Sequence, residues 1–207
     1  MKNIQQLTRV CAFWLPVAGG CAFIVLYLFA ASMYPGGTRV DHHTQGYSHM
    51  SNYWCDLLDS VSYSGDINHG RPIAVLATVI LPLSLVPLWL QVPLLFHAPS
   101  VARSIVRIAG PVAMVLSTLV FTPMHDFAIN LAALFGLVAF ATTIWGLARM
   151  KRAALVCIGL VPMLLGITNY IMWQTGSFLN VMPMVQKAAY GSMFIWIIAV
   201  SRTIRQT

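Results

Sequence analysis

The sequence predicts an all-α polytopic membrane protein, a six-transmembrane-helix bundle with both termini cytoplasmic and a short amphipathic helix in the outer loop between helices one and two. Three observations lead there. Of the 207 residues, 58% are hydrophobic and only 8% charged, where a soluble domain carries about 25% charged residues. The apolar residues fall into runs near the roughly 20 that cross a hydrocarbon core. The basic residues sit in short clusters between those runs, and mostly in every second connection.

The chain reads as one integral membrane domain, 1–207, without an internal repeat, a low-complexity tract or a separating linker. The first span covers 10–34, a stretch with no charged residue. Lys2 and Arg9 before it and Ala30-Ala31-Ser32 near its end imitate a signal peptide. A signal-peptide core is only about 7–15 residues long, so the length selects a transmembrane helix. The second span, 72–96, opens on Pro72, a position where the missing N–H does no harm. The third and fourth, 108–124 and 127–148, are joined by a very short turn at 123–126. The fifth is 153–173 and the sixth 182–201. Pro16, Pro82, Pro87, Pro111 and Pro162 fall inside these spans, each removing one backbone bond and favouring a kink. No span contains GxxxG, so a glycine-driven dimer face has no support. Trp14, Trp89, Trp145, Trp173 and Trp196 lie toward helix ends, as interfacial anchors do.

Orientation follows from lysine and arginine. Nine of the twelve lie at the termini or in the 97–107 and 149–152 connections, and only Arg39, Arg71 and Lys187 lie on the alternate face. The positive-inside rule then puts both termini in the cytoplasm and all five aspartates outside. The formal charge of +7 forms no contiguous stripe, which argues against a nucleic-acid surface; the partners expected are membrane lipids. The four cysteines show no metal-type spacing, and Cys55 reads as a buried free thiol.

The polar outer segment, 35–71, is where chemistry concentrates. With its flanks it carries four of the five carboxylates and four of the six histidines, and the chain has no glutamate. Gly36 and Gly37 end the first helix. Ser51 is placed to cap a short helix over 51–63, with Tyr53, Trp54, Leu57, Leu58 and Val61 on one face and Asn52, Asp56, Asp59 and Tyr63 on the other. That helix either lies on the interface with its acids in water, or lids a polar cavity. Polar residues at other outer helix ends favour the lid: His125 and Asp126, then Asn130, then Asn169 and Tyr170. Lys187 lies several residues inside the outer edge of helix six, where a lysine snorkels or finds a partner. Asp126 and Asp56 are its candidate counter-ions.

His125, Asp126, Asp56 and His69 are the candidate metal ligands on this face. The spacing is not a metal signature, because no two histidines stand at i,i+4 on a predicted helix and HExxH is impossible without glutamate. Serine chemistry is weaker still, since Ser48-His49 lacks a GxSxG context. Gly36-Gly37 lacks the GxGxxG of a nucleotide loop.

Tyr34-Pro35-Gly36-Gly37, Gly46-Tyr47-Ser48, Asn52-Tyr53-Trp54-Cys55-Asp56-Leu57, Gly65 with Asn68, Arg71-Pro72, His125-Asp126 and Gln186-Lys187 together resemble a family of bacterial six-helix membrane proteins, family 998 among the domains of unknown function. That family looks distantly related to the Frag/DRAM/Sfk group of eukaryotic membrane proteins. The resemblance implies a multi-pass protein of the bacterial inner membrane and supplies no established reaction. The seven-helix metal-dependent hydrolases of the ceramidase and receptor-like superfamily use SxxxH and HxxxH pairs, and neither spacing occurs here.

The expected function is an outward-facing polar pocket that binds a lipid head group or small amphiphile. Asp56, His125, Asp126 and Lys187 line it in this reading, supported by Asn52, Asn169 and Arg71. The alternative is a membrane-embedded hydrolase or transferase at the outer leaflet. There His125 is general base or metal ligand, oriented by Asp56 and Asp126. A small transporter is the third reading.

Overall fold

The structure, a computed structural model, describes residues 2–95 and 100–206, with side chains over 13–95 and 101–206. Readings that concern the side chains of Lys2, Arg9 and Cys11, or Phe96, lie outside these residues. Six α-helices are present among the described residues: α1 Lys2–Ser32, α2 Arg71–Gln91, α3 Ser100–Ser117, α4 His125–Arg149, α5 Ala153–Thr175 and α6 Met182–Gln206. Two 3-10 turns, Cys55–Leu58 and Val92–Leu95, complete the regular structure among the described residues, which hold no strand beyond two isolated bridges. Five of the helical stretches are long and apolar enough to cross a membrane: Phe13–Ser32, Arg71–Leu95, His125–Arg149, Ala153–Thr175 and Met182–Gln206. α3 is shorter, 18 residues with Arg103 and Arg107 in its first half. It buries the stripe Ala102, Val106, Ala109 and Ala113, the 3.6-residue pattern of a helix with one face inward.

Each helix packs on its neighbour in the sequence, and α6 returns to α1, so the six form a closed ring. All five prolines predicted within spans are inside helices. The core toward the termini holds Leu88, Val92, Val106, Leu147, Val200 and Ile204 around Trp196. Trp196 is fully buried, packs against Phe140 with ring centres 4.5 Å apart and planes tilted by 49°, and donates its indole N–H to the Leu155 carbonyl at 3.1 Å. Trp89 is buried as well. These two tryptophans are therefore core residues rather than the expected interfacial anchors; Trp14, Trp145 and Trp173 are exposed. A second core, at the opposite end, joins Phe23, Tyr27 and Tyr34 to Leu57, Leu58 and Ala77. It ties the 33–70 segment onto α1 and α2.

The predicted amphipathic helix over 51–63 is not formed; only the 3-10 turn Cys55–Leu58 is helical. The reason is side-chain competition for the backbone. The Asn52 side chain accepts the Ser48 N–H (2.9 Å), Asp56 accepts the Tyr53 N–H (2.9 Å), and Asn68 donates to the Leu57 carbonyl (3.1 Å). Residues 60–68 then turn back on themselves, with Ser62 N–H on the Asp66 carbonyl at 2.9 Å and Gly65 at φ 92°.

The predicted third span also ends early. α3 stops at Ser117, and 118–124 is a run of turns instead of a tight link at 123–126. Thr118 and Thr122 hydroxyls bond the carbonyls three residues back (2.6 and 2.7 Å), tightening the chain ahead of Pro123, which has no N–H to continue a helix.

At Gly70 the start of α2 meets α1. A Cβ there would press on the Ala30 carbonyl oxygen and lie 3.2 Å from the Ala30 Cα. Backbone cannot step aside as a side-chain tip can, so Gly70→Ala is expected to destabilise the protein by about 2 kcal/mol, measured by thermal unfolding in detergent.

Candidate functional site

The 33–70 segment is built on a small set of buried polar side chains. Gly37, at φ 81°, brings its backbone so close to residues 63 and 64 that an added Cβ would lie 2.6 Å from the Tyr63 carbonyl carbon. Asn52 is fully buried beside it. Its amide nitrogen donates to the Gly37 carbonyl and to Asp56 Oδ2, both at 2.9 Å. Asn68, also buried, donates to the Leu57 and Asp59 carbonyls (3.1 and 3.0 Å) and accepts the Gly70 N–H (3.0 Å).

α6 grips the same segment from the other side. Lys187 Nζ donates to the Asn52 carbonyl at 2.5 Å and lies 5.8 Å from the Tyr47 ring centre. Gln186 accepts the Trp54 N–H at 3.0 Å and donates to the Cys55 sulfur at 3.6 Å. The Tyr53 hydroxyl donates to the Leu179 carbonyl at 3.0 Å. From α2, Arg71 Nε donates to the Leu58 carbonyl at 2.8 Å. Lys187 thus donates to a carbonyl and forms no ion pair with either candidate counter-ion, Asp126 or Asp56, among the described residues, although its charge acts on the Asp56 carboxyl. Asp126 instead pairs with its neighbour, His125 Nδ1 to Asp126 Oδ1 at 3.0 Å.

Between this segment and the ends of α4, α5 and α6 lies a cavity of about 420 Å³. Of the four residues predicted to line a pocket, Asp56, His125 and Asp126 do so, and so does Asn169, which was expected only to support it. Asn52, Arg71 and Lys187 are not among the lining residues; they stand behind the wall and hold its backbone. Asp59, Tyr53, Tyr63, Tyr170 and Gln186 also line it. Across one side, the Tyr170 hydroxyl donates to Asn130 Oδ1 at 2.9 Å, linking α5 to α4. The Asn169 carboxamide oxygen is buried without a hydrogen-bond partner among the described residues.

A second cavity of about 300 Å³ lies within the ring, lined by Phe23, Leu81, Met114, Phe194 and Ile197 among others. The two share Cys55, Leu58, Val120 and Ile129 in their walls, so a polar chamber adjoins an apolar one.

Burial pushes the Asp56 carboxyl up to about 6 from its ordinary 3.8, against the hydrogen bonds from Asn52 and the Tyr53 N–H and the charge of Lys187, with Asp59 adding to the rise. Burial also raises Asp59, opposed by His125 and Arg71, and lifts the Cys55 thiol to about 11. Cys55 is a free thiol, as expected, and at that value it stays protonated near neutrality.

The native state therefore holds the Asp56 proton more tightly than the unfolded chain does. Stability from this group is complete below pH 3.8 and is lost as pH rises through about 6. Asp56 Oδ2 accepts both hydrogen bonds, and an asparagine oxygen can occupy the same place. Asp56→Asn is expected to raise stability at pH 7 by about 2 kcal/mol and to flatten the fall between pH 4 and 6, read by thermal unfolding across that range.

No three of His, Cys and Asp come together as a metal-holding group among the described residues. The four candidate metal ligands do not all share one place: His69 is exposed and does not line the cavity that holds Asp56, His125 and Asp126. Gln186, Asn68 and Asp59 went unpredicted as site-forming residues. Gln186 had a signal, a second polar side chain beside the lysine in an apolar span.

The molecule is thus an all-helical ring with several membrane-length apolar helices and a paired polar and apolar cavity at one end. No family model, curated protein or solved structure matches the chain.

Proposed function

We propose that this chain is a multi-pass protein of the bacterial inner membrane, with six spans and both termini cytoplasmic, whose outward-facing cavity binds an amphiphile. The observation that carries this reading is the pair of adjoining cavities. The polar one suits a head group, and the apolar one within the ring suits a hydrocarbon chain. Membrane placement rests on the five apolar helices and the nine-to-three distribution of basic residues. α3, with 18 residues, is about 27 Å long at 1.5 Å per residue, enough to serve as the remaining span. The same reading keeps the chain with the family-998 proteins on the strength of its 35–71 motifs.

Gly191 lines the apolar cavity, and a Cβ built there meets nothing within 4 Å. Gly191→Phe is expected to fill that space and expel bound amphiphile while the fold persists. Mass spectrometry of extracts from purified protein measures this. Equal retention by the variant and the parent protein would refute the assignment.

One observation favours an enzymatic second reading. His125 faces the cavity with its Nδ1 held by Asp126 at 3.0 Å, an arrangement that leaves Nε2 to act as a base. Hydrolysis of an acyl ester by the purified protein, abolished in His125→Gln, would support it; ester turnover unchanged in that variant would sink it.

A further inference from the structure

The amphiphile reading leaves the head group's charge open, and the polar cavity's walls decide it. Three carboxylates line that cavity, Asp56, Asp59 and Asp126, with His125 beside them and no lysine or arginine among the lining residues. Arg39 lies over the ring of Trp173 at the wall, and the other two fixed cations near the segment are engaged with backbone: Lys187 with the Asn52 carbonyl and Arg71 with the Leu58 carbonyl. Both stand behind the wall as donors to backbone. Acceptors prevail elsewhere too, since the buried Asn169 carboxamide oxygen has no hydrogen-bond partner among the described residues.

Aromatic rings supply the remaining surface. Tyr53, Tyr63, Phe121, Tyr170 and Trp173 line the same cavity. Ring faces attract cations, and Trp173 already receives one from the loop, with the Arg39 guanidinium 5.2 Å from its centre. An anionic head placed here would face three carboxylates against the guanidinium of Arg39, which is already over Trp173, and the balance is repulsive. A head with N–H groups or a quaternary nitrogen meets carboxylates, an amide oxygen and ring faces.

We propose that the site takes a cationic amphiphile: a protonated amine or quaternary ammonium head among Asp59, Asp126 and the aromatic rings, with its hydrocarbon chain in the adjoining apolar cavity. This rests on the amphiphile reading above and names its ligand class. The ammonium group belongs to a chain-bearing molecule, not to a free small amine, because the apolar cavity adjoins the polar one through the shared wall of Cys55, Leu58, Val120 and Ile129.

The test is native mass spectrometry of the full chain released from a non-ionic detergent. The probes are dodecyltrimethylammonium, dodecyl sulfate and tetramethylammonium. The first two share a chain and differ in head charge, and the third is the head alone. Dodecyltrimethylammonium is expected to bind at least about tenfold more tightly than either. The double variant Asp59→Asn, Asp126→Asn changes two exposed residues and is expected to bring the ratio between the two dodecyl probes close to one. Equal binding of both dodecyl probes by the parent protein overturns the charge assignment and leaves the amphiphile reading standing. Tetramethylammonium binding as tightly as its dodecyl form overturns the chain's part in recognition. Binding of none of the three overturns both proposals together.

Discussion

Asn52→Leu is expected to destabilise the protein by about 4 kcal/mol, the largest effect of any single substitution considered. Leucine has the branched outline of asparagine with bulkier methyl groups, so the loss comes from polarity and crowding at a fully buried position and not from a cavity. Three groups lose a partner at once: the Ser48 N–H, the Gly37 carbonyl and Asp56 Oδ2. Each buried group without a partner costs about 1–3 kcal/mol. Asp56 keeps the Tyr53 N–H, which limits the total. With Asn52 gone, the carboxyl loses a donor that favours its charged form, so its pKa should climb above about 6. A thermal-unfolding profile against pH reads both changes, and unaltered stability at pH 7 would show that water substitutes for the amide.

Asn68→Leu follows at about 3 kcal/mol. It strips donors from the Leu57 and Asp59 carbonyls and the acceptor from the Gly70 N–H. Asn68→Asp separates these roles. The carboxylate keeps the Gly70 N–H, near the start of α2 where negative charge is favoured, but faces two carbonyls with no proton to give. Its loss should therefore approach that of leucine at neutral pH and shrink in acid, as protonation restores one donor. Equal stability of the parent and both variants would mean that Asn68 does not hold the turn.

These two asparagines also show where sequence reading reaches its limit. Helical class, element order and intrahelical prolines were legible because apolar run length and charge spacing are properties of consecutive residues. The meeting of Asp56, His125, Asp126 and Asn169 at one cavity was legible because each sits at a helix end or loop on the same predicted face. The internal form of 51–63 was not. Its alternation of Tyr53, Leu57 and Val61 with Asn52, Asp56 and Asp59 satisfies a helical period, yet that pattern cannot register an asparagine at position 68 or a lysine at position 187. Those residues offer backbone partners that compete with the helix's own. The same blindness cast Lys187 as a group facing a ligand, when it bonds main chain behind the cavity wall beside the expected supports Asn52 and Arg71. Trp89 and Trp196 misled in the opposite sense. Position near a helix end suggested an anchor, while burial depends on which face meets the ring.

The bonds from α6 and the turn before it to the segment after α1 impose a schedule on biogenesis. Asn52, Tyr53 and Trp54 join partners 135, 126 and 132 residues further along the chain. At a synthesis rate of about 5–20 residues per second, that separation is a delay on the order of ten seconds. During this interval the tyrosine and tryptophan have been made and their anchors have not. Until the last helix arrives, the segment has its contacts with α1 and α2 but none of these three bonds. Closure of the polar chamber thus marks the completed bundle, and a nascent chain lacking its final helix has no finished chamber to fill.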